Sequence, residues 1–554
     1  MQKSNTDKYT ISILPNGKTI QAVKKESLLE ALTGSGIFLR SDCGGKGLCG
    51  KCLVRIAELS HKDVSTPEDA EVQNLGEKDL RAGYRLACRV KVLSDLSVEI
   101  PYSSMLSAEV VEKTPMILPK QIPFRALPAS GSVECHGLAV DLGTTTIAVY
   151  LCDLISGKIV GSISAKNPQA MFGDDVISRI AIVAENSGNL IRLQRMVVQA
   201  IEWGVTALCQ SSDIDPQHVR SAIIAGNSTM IHLFAGVNPS SIGVFPYVPL
   251  FVEDKTFKAE SVGFKFNPSA DIFTLPLISG FLGSDIVAAA LTTELDKAIA
   301  GTLLIDIGTN GEVLLKSKNG LVATSCATGP AFEGATIRHG MPAVSGAIDA
   351  VKIDRTNNAV TCSVICKNPD AVCKPAGICG SGIVSAVAEL YRAGLVLSNG
   401  RLDRNSRSNL IREKETGMLE FELVSAEKSE TGKAITLTQK DIRAVQLAKG
   451  ALLAGMKMLC TAAELTSPKR LLVAGAFGAN INKKDALTIG MFPDLPEDNI
   501  TGVGNAAGAG AILALLNPEL RDKARELARS VTVIDLASLP EFQKIFLNSL
   551  SFPV

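Results

Sequence analysis

Four cysteines near the start of the chain have the types and the spacing of ligands for an iron-sulfur cluster. Cys43, Cys49, Cys52 and Cys88 follow the order Cys-x5-Cys-x2-Cys-x35-Cys. Three thiolates from one short loop and a fourth from a distant segment can surround a two-iron cluster, which needs four soft sulfur ligands. The four glycines of residues 44–50 let the backbone approach the cluster and direct N–H groups at its sulfurs. The spacing therefore predicts a [2Fe–2S] site.

A zinc site and two disulfides are the alternative interpretations of this quartet. Zinc sites usually combine two close Cys-x2-Cys pairs, and the quartet contains one. Disulfides require an oxidising compartment, and residues 1–8 are polar with no apolar signal segment behind them. The cluster is favoured over both.

A short motif occurs twice in the rest of the chain and predicts a phosphate site in each of two similar lobes. Residues 139–145 (AVDLGTT) recur as residues 304–310 (LIDIGTN), with apolar runs before and after each copy. We expect strand, tight turn and strand in each copy, followed by a third strand. Glycine permits the turn, threonine donates to phosphate oxygens, and aspartate at the strand end can hold magnesium or its water. Two ordinary hairpin turns are the less favoured alternative.

Three further segments fit a nucleotide-binding protein. Residues 471–478 (LLVAGAFG) predict a buried strand that opens onto a glycine-bracketed turn suited to a purine, or else a plain strand-helix turn. Residues 278–285 and 502–511 each lead into small-residue helices that could cross between lobes or pack in a core. None of the three is decisive alone.

The remaining cysteines and histidines are expected to be structural. Nine cysteines lie outside the quartet, and at that density unpaired thiols indicate a reducing interior. Four of them, at 362, 366, 373 and 379, are close enough for a second metal site, but small buried thiols are favoured. His232 and His339 are expected to be packed and hydrogen-bonded rather than ligands.

The first hundred residues are predicted to form a separate small domain. Alternating runs at 9–14 and 19–23 predict a hairpin, and Ser27 with Glu30 forms a capping box for a helix that ends near residue 34. Strands at 53–56 and 96–100 complete a β-grasp order. Four prolines follow between residues 101 and 134, which predicts a semi-rigid linker.

Composition limits the class of protein. Lysine plus arginine equals aspartate plus glutamate at 56 each, so no global field would attract nucleic acid or an anionic membrane. Apolar residues make up 46% and aromatic residues 5% with 47 glycines, a balance typical of α/β proteins. The longest uncharged apolar run, residues 506–516, is too short to cross a bilayer. We expect a cytoplasmic protein with neither nucleic acid nor membrane as partner.

These motifs together resemble known families. Residues 135–554 resemble the ASKHA superfamily of sugar kinases, chaperone ATPases and actin, through DLGTTT at 141, DIGTNGE at 306 and VAGAFG at 473. The five-residue first gap of the cysteine quartet resembles vertebrate-type and xenobiotic-type ferredoxins rather than plant-type ones. A ferredoxin domain ahead of an ASKHA ATPase resembles the reductive activators of corrinoid-dependent proteins, the RACo-like family. Residues 167–169, 172–179, 226–230 and 377–382 also match that family.

The resemblance implies a multidomain α/β fold. Its expected parts are a β-grasp ferredoxin domain at 1–100, a linker at 101–134, and two ASKHA (actin-like, RNase H-like) lobes at 135–300 and 301–554. The tether should let the ferredoxin domain swing between an electron donor and an acceptor.

The implied activity is that of an ATP-hydrolysing reductase, which passes an electron through its [2Fe–2S] cluster to Co(II) in a corrinoid protein of a methyltransferase system. ATP and Mg²⁺ are the other implied cofactors. No Gly-x4-Gly-Lys-Ser/Thr motif or correctly spaced dinucleotide fingerprint occurs, so electrons should come from an external low-potential donor such as a ferredoxin or flavodoxin. The sequence allows a homodimer and leaves the oligomeric state open.

Roles follow for individual residues. The quartet Cys43, Cys49, Cys52 and Cys88 would hold the cluster. Asp141 and Asp306 would organise magnesium and the attacking water, and Glu312 would position that water or be an ordinary strand carboxylate. The expected phosphate contacts are Gly143, Thr144, Thr145, Thr146, Gly308, Thr309, Asn310 and Gly311. The expected adenosine contacts are Gly475, Ala476, Phe477 and Gly478.

Three other functions compete with this one. An activator of 2-hydroxyacyl-CoA dehydratases would also be an ASKHA ATPase, but with a bridging [4Fe–4S] cluster. A small-molecule kinase with an accessory ferredoxin domain would yield a phosphorylated metabolite. A chaperone-like ATP-gated binding module would transfer no electrons.

Overall fold

The computed structural model describes residues 8–15, 17–41, 45, 47, 50–57, 62–101, 104–105, 134–173, 175–308, 310–334, 336–354, 356–357, 359–366, 372–406, 410–413 and 417–553. Their contacts form two compact units, one ending at residue 275 and the other continuing from residue 276 to the end of the chain. The first unit contains the ferredoxin-like domain and the first lobe. The second unit contains the second lobe.

The N-terminal domain is a mixed sheet with helices, as the sequence predicts. Its elements are β1 (Lys8–Leu14), β2 (Lys18–Val23), α1 (Leu28–Gly34), β3 (Leu53–Ala57), α2 (Asp69–Arg81), β4 (Tyr84–Leu86) and β5 (Leu96–Glu99). The strand order is β2-β1-β5-β3-β4, with β1 and β5 parallel. The predicted capping box is present, since Glu30 N–H donates to Ser27 Oγ and Ser27 N–H donates to Glu30 Oε2. Helix α2 is not predicted from the sequence.

Structure continues beyond the predicted end of this domain. Leu39 forms a bridge with Met105, and Arg40 N–H donates to the Ser104 carbonyl at 2.8 Å. Most of the predicted linker at 101–134 lies outside the described residues. The predicted domain boundaries stay a prediction.

The first lobe is built on a second sheet. Its elements are β6 (His136–Leu142), β7 (Thr146–Asp153), β8 (Ile159–Lys166), α3 (Val176–Glu185), α4 (Gly188–Ser211), β9 (Val219–Gly226), α5 (Ser228–Phe234), β10 (Thr256–Lys258), α6 (Ala259–Val262) and β11 (Asp271–Thr274). The strand order is β10-β11-β9-β6-β7-β8. All seven residues of β6 are buried, and this strand lies in the middle of the sheet between β9 and β7.

The second lobe repeats this plan with insertions. Its elements are α7 (Ser284–Thr292), β12 (Thr302–Ile307), β13 (Gly311–Lys316), β14 (Leu321–Cys326), β15 (Ala347–Ile353), β16 (Val360–Val364), β17 (Gly377–Ile378), α8 (Gly380–Arg392), β18 (Ile411–Glu413), β19 (Leu419–Val424), β20 (Ile435–Thr438), α9 (Gln439–Ala462), β21 (Arg470–Ala474), α10 (Gly475–Asn480), α11 (Lys483–Thr488), β22 (Ile500–Gly504), α12 (Ala506–Leu516), α13 (Glu519–Ser530), β23 (Val531–Val533) and α14 (Phe542–Asn548). The main sheet has the order β22-β21-β12-β13-β14-β23.

The two main sheets share one topology. The order β8-β7-β6-β9-β11 in the first lobe corresponds to β14-β13-β12-β21-β22 in the second. In both, the first two neighbouring pairs are antiparallel and the next two are parallel. The predicted duplication is therefore confirmed, with each Asp-x-Gly-Thr motif at the turn between the first two strands of its lobe.

The two predicted small-residue helices pack against each other within the second unit. A Cβ placed on Gly510 of α12 would lie 2.1 Å from the Ala288 carbonyl oxygen of α7. Thr292 Oγ1 also donates to the Ala506 carbonyl at 2.8 Å. Glycine at 510 is therefore required by the close approach of these helices.

One cysteine prediction is wrong. Cys366 and Cys373, expected as unpaired thiols, form a disulfide, since their Cα atoms lie 5.8 Å apart and within bonding reach. Cys362 and Cys379 are free thiols that contact the Leu423 and Ile348 carbonyls. In the part of the chain that is described, no three Cys, His, Asp or Glu side chains are placed to hold a metal ion. The second metal site is thus not formed by these four cysteines.

None of the helices in the described part of the chain is both long and apolar enough to cross a lipid bilayer.

Candidate functional site

The structure brings together the two described cysteines of the cluster quartet. Cys52 directly precedes β3 and Cys88 follows β4, and these strands are paired through Leu53 and Leu86. Ala87 N–H donates to the Cys52 carbonyl at 2.9 Å, so both cysteines lie at one end of the strand pair. Both are buried. Cys43 and Cys49 lie outside the described residues, and their ligand roles stay a prediction.

The glycines beside these cysteines adopt backbone conformations that other residues rarely tolerate. Gly45, Gly47 and Gly50 have φ values of +84°, +76° and +67°. A Cβ on Gly45 would lie 3.9 Å from Cys88 Cβ, which places this loop against the fourth predicted ligand. Glycine-dependent backbone next to clustered thiols fits a [2Fe–2S] cluster, whose sulfurs accept hydrogen bonds from backbone N–H groups.

Helix α2 supports the same loop. Asn74 Nδ2 donates to the Gly47 carbonyl at 3.0 Å, and Arg89, directly after Cys88, forms an ion pair with Glu68 at the start of α2. A Cβ on Gly47 would lie 2.9 Å from Arg89 Cδ. The loop is therefore enclosed by side chains that the sequence does not mark as functional.

The first Asp-x-Gly-Thr motif, which the sequence predicts to bind phosphate and which is called the first phosphate loop below, forms the tight turn between β6 and β7. Gly143 N–H donates to the Thr146 carbonyl at 3.0 Å, and a Cβ on Gly143 would lie 2.6 Å from that oxygen. Asp141, buried near the end of β6, is paired with Ala148 of β7. Thr144 and Thr145 lie in this turn, a few residues after the buried Asp141, and their phosphate contacts stay a prediction.

A buried polar frame holds this turn. Asn167 Nδ2 donates to the Gly143 carbonyl at 2.9 Å, and Arg179 Nη2 donates to the Thr144 carbonyl at 2.6 Å. Asn227 Nδ2 donates to Thr144 Oγ1 at 2.8 Å. The Asn167 and Arg179 side chains are fully buried. These hydrogen bonds to the Gly143 and Thr144 carbonyls and to Thr144 Oγ1 fix the conformation of the loop.

The second phosphate loop connects β12 and β13. Gly308 N–H donates to the Asn310 carbonyl at 3.2 Å, and Gly311 begins β13. Asp306 and Glu312 are directly opposite each other on the antiparallel strands, so their side chains lie on one face. Thr309 lies outside the described residues.

Three carboxyl groups meet beside this loop. Burial, together with the negative charges of Asp285 and Asp306, raises the pKa of Glu312 well above its ordinary value. Gly283 N–H lies 3.5 Å from Glu312 Oε1, at the start of α7. Asp285 is a residue to which the sequence analysis assigned no chemistry. The sequence feature that could have indicated Asp285 is its position in the first turn of a helix rich in small residues.

The predicted adenosine segment lies next to the same carboxylates. Gly475 has a φ of +87°, and a Cβ there would lie 2.8 Å from Asp306 Oδ1. Residues 475–480 form the short helix α10 directly after β21, and the adenosine contact of this segment stays a prediction. One face of the Phe477 ring stacks on Phe332 with ring centroids 5.1 Å apart, and Gly478 approaches Val473. The side chain of Ala476 lies outside the described part.

His232 is packed and hydrogen-bonded, as expected. Its Nδ1 lies 2.7 Å from the Ser228 carbonyl, Leu250 N–H donates to its Nε2, and its ring stacks on Phe251. Burial lowers the pKa of His232. Through these contacts His232 anchors helix α5, whose N-terminal cap is Asn227, to the segment that contains Leu250 and Phe251.

Fold and site together define an ASKHA-type two-lobed protein that carries a ferredoxin-type domain. Residues 11–93 match the family model described as "2Fe-2S iron-sulfur cluster binding domain". Residues 136–298 match "RACo middle region", and residues 300–554 match "C-terminal domain of RACo the ASKHA domain". The chain belongs to the RACo family.

Full-length relatives agree with this assignment. The chain is similar to the corrinoid activation enzyme RamQ of Eubacterium limosum, at 31% identity over 96% of this chain and 97% of that protein. It is 24% identical to the [Co(II) methylated amine-specific corrinoid protein] reductase of Methanosarcina barkeri, over 75% of this chain and 77% of the relative. The solved structure of a reductive activator for corrinoid, iron-sulfur protein is 32% identical, with a TM-score of 0.70 and 98% coverage of both chains.

Proposed function

We propose that this chain is an ATP-dependent reductive activator of a corrinoid protein in a methyltransferase system. The observation that carries the proposal is the presence, in one chain, of a [2Fe–2S]-type domain and a duplicated ASKHA fold that match reductive activators over nearly their full length. The corrinoid protein is the substrate, and its cobalt changes from Co(II) to Co(I). One ATP and one water become ADP and phosphate.

The cluster ligands are Cys43, Cys49, Cys52 and Cys88. When bound, the [2Fe–2S] cluster supplies one-electron transfer, taking an electron from an external low-potential ferredoxin or flavodoxin and giving it to Co(II). The glycine-rich loop excludes bulky side chains from the cluster's surroundings, and Asn74 and Arg89 keep that loop in place.

The two Asp-x-Gly-Thr loops bind the phosphates of ATP. The hydroxyl and N–H groups of Thr144 and Thr145 contact phosphate oxygens, while Asp141 and Asp306 hold Mg²⁺ directly or through water. Glu312, whose pKa is raised by burial and by the charges of Asp285 and Asp306, orients the attacking water together with Asp285. Residues 475–478 contact adenosine, and glycine at 475 allows the chain to pass close to Asp306 Oδ1.

ATP is needed because the Co(II)/Co(I) couple lies below ordinary cellular donors. Each ~59 mV of unfavourable potential reduces the equilibrium yield of a one-electron step tenfold. Nucleotide-dependent changes in the lobes would alter how the corrinoid protein is held and so favour reduction. A cytoplasmic location and a homodimeric state remain parts of this proposal.

The decisive experiment follows cobalt directly. Anaerobic protein, a reductant, ATP and a Co(II) corrinoid protein are mixed, and the absorbance band of Co(I) is recorded with ATP, with ADP and without nucleotide. We expect the band only with ATP. If several corrinoid partners give no ATP-dependent band while a small metabolite becomes phosphorylated, the kinase function replaces this one.

A further inference from the structure

The ferredoxin domain contacts the first lobe through helix α1. Arg192 of α4 lies 2.9 Å from Glu26 and 3.6 Å from Glu30, at the N-terminal end of α1. Two turns further along α4, Gln199 Nε2 donates to the Gly34 carbonyl at the other end of α1. Helix α1 is therefore held at both ends by one face of α4.

A short turn of the first lobe completes this contact. Residues Pro168–Met171 form a 3₁₀ turn, and Met171 packs against the apolar core of the ferredoxin domain. Thr33 Oγ1 of α1 lies 3.6 Å from Met171 Sδ. The Arg192 guanidinium lies 4.9 Å from the Phe172 ring centroid, so the residue that pairs with α1 also contacts the end of this turn.

The same turn is attached to the first phosphate loop. Asn167, which caps the turn, donates its N–H to the Thr145 carbonyl at 2.8 Å and its Nδ2 to the Gly143 carbonyl at 2.9 Å. Its Oδ1 accepts from Gln169 N–H at 3.0 Å. Only three residues thus separate Asn167, with its two hydrogen bonds to the phosphate loop, from Met171, with its apolar contact to the ferredoxin domain.

We propose that α1 and the surface formed by Arg192, Gln199 and residues 167–172 are a docking interface whose strength depends on the nucleotide at the first phosphate loop. The described contacts that dock the ferredoxin domain are the ion pairs of Arg192, the Gln199 hydrogen bond and a small apolar contact, and a modest free-energy change can release contacts of this kind. The turn at 167–172 transmits loop adjustments because it is bonded to the loop on one side and packed against α1 on the other. The inference rests on the proposed function, since it requires ATP at residues 143–146.

Because coupling between two binding events is reciprocal, the dependence of docking on nucleotide can be tested by changing either the docking interface or the nucleotide. If nucleotide binding alters docking, then loss of docking must alter nucleotide affinity by the same factor, and coupling of this type is typically at least about fivefold. Arg192→Glu reverses the charge that faces Glu26 and Glu30. Arg195→Glu is the matched control, because Arg195 is an exposed residue on the next turn of α4.

The experiment uses the full-length protein with its cluster loaded, as judged by visible absorbance. Small-angle X-ray scattering gives the radius of gyration, and calorimetry gives the affinity for a non-hydrolysable ATP analogue. We expect Arg192→Glu to increase the radius of gyration and to change the affinity at least about fivefold. Arg195→Glu should match wild type in both, and the double change Arg192→Glu with Glu26→Arg should recover most of each effect.

Two results would overturn the inference while leaving the proposed function intact. In the first, Arg192→Glu and Arg195→Glu have the same radius of gyration, which would show that the contacts of Arg192 do not dock the ferredoxin domain. In the second, Arg192→Glu has a larger radius of gyration but an unchanged affinity for the ATP analogue, which would show that docking and nucleotide binding are not coupled. Failure of the wild-type protein to bind the analogue would instead overturn the proposed function, and this inference with it.

Discussion

Glu71 and Arg85 form a buried, two-pronged ion pair that attaches helix α2 to the strand leading to Cys88. Arg85 Nε lies 2.9 Å from Glu71 Oε1, and Arg85 Nη2 lies 2.8 Å from Glu71 Oε2. Glu71 Oε1 also accepts from Leu86 N–H at 3.0 Å. Both side chains are essentially inaccessible to solvent. Removing one partner would leave the other charge buried without compensation.

Glu71→Gln should therefore destabilise the ferredoxin domain by about 3–5 kcal/mol. Bleaching of the cluster absorbance with guanidinium chloride measures the effect as a lower midpoint. The control is Glu77→Gln on the same helix, because Glu77 is 79% exposed in its pair with Arg81 and should contribute at most about 1 kcal/mol. Equal midpoints for the two variants would show that the buried pair does not hold the cluster loop.

The cluster assignment predicts a spectroscopic loss. Cys52→Ser and Cys88→Ser each replace a soft thiolate by a hydroxyl, so the visible absorbance and the spin resonance of the reduced cluster should disappear or change. Cys135→Ser, a half-buried cysteine of the first lobe, should keep both signals. An unchanged spectrum in Cys52→Ser would remove that residue from the ligand set.

Local signals in the sequence were sufficient for much of the fold. Alternation predicted β1 and β2, the Ser27 and Glu30 capping box predicted α1, and the repeated Asp-x-Gly-Thr motif predicted two similar sheets. Each of these signals depends on residues close together in sequence. Backbone conformation and side-chain spacing are enough to produce them.

Helix α2 shows why the rest was not predicted. Its sequence has little apolar periodicity, Gly76 interrupts it with a φ of +71°, and Glu71 is the one residue that the structure describes as buried in it. The helix is held by the distant Arg85, which no local pattern reveals. The frame of the first phosphate loop is similar, since Asn167, Arg179 and Asn227 reach it from 24, 35 and 83 residues away.

That frame predicts an effect on nucleotide binding. Asn167→Ala removes the donor to the Gly143 carbonyl in a buried setting, where an unsatisfied polar group costs about 1–3 kcal/mol. We expect the KM for ATP to rise roughly tenfold, which corresponds to about 1.4 kcal/mol. Steady-state ATP hydrolysis measures it. Asn189→Ala is the control, because Asn189 donates to the Ile182 carbonyl away from the loop and its loss should leave KM unchanged.

The carboxyl groups of the second lobe should differ in their response to amide substitution. Asp306→Asn removes a charge proposed to organise Mg²⁺, and ATP hydrolysis should fall by about 10²-fold or more. Glu312→Gln should lower hydrolysis less than Asp306→Asn does, because burial and the charges of Asp285 and Asp306 raise the pKa of Glu312 well above its ordinary value and an amide can hydrogen-bond much as a protonated carboxyl does. An equally large loss in Glu312→Gln would mean that Glu312 acts in its ionised form.

Lys449 predicts a pH dependence of stability in the second lobe. Its side chain is buried, Nζ donates to the Ser551 carbonyl at 2.6 Å, and burial lowers the pKa of Lys449 to about 7. Between pH 7 and the ordinary lysine value near 10.5, the unfolded chain binds more protons than the folded chain. The free energy of unfolding therefore rises with pH across this window, by at most about 1.4 kcal/mol per unit, and this contribution is constant below pH 7.

Lys449→Met removes this titration, so its effect on stability should depend on pH. Relative to wild type, the variant should be most stable at pH 7 and below, and its advantage should shrink steadily as pH rises toward 10. Calorimetric melting midpoints of both proteins between pH 6.5 and 9.5 measure the difference. Lys440→Met, at an exposed position near the start of α9, is the control and should give a difference that does not vary with pH. A constant difference for Lys449→Met as well would show that Lys449 stays charged in the folded protein, held by the Ser551 carbonyl and by the Phe552 ring 5.4 Å away.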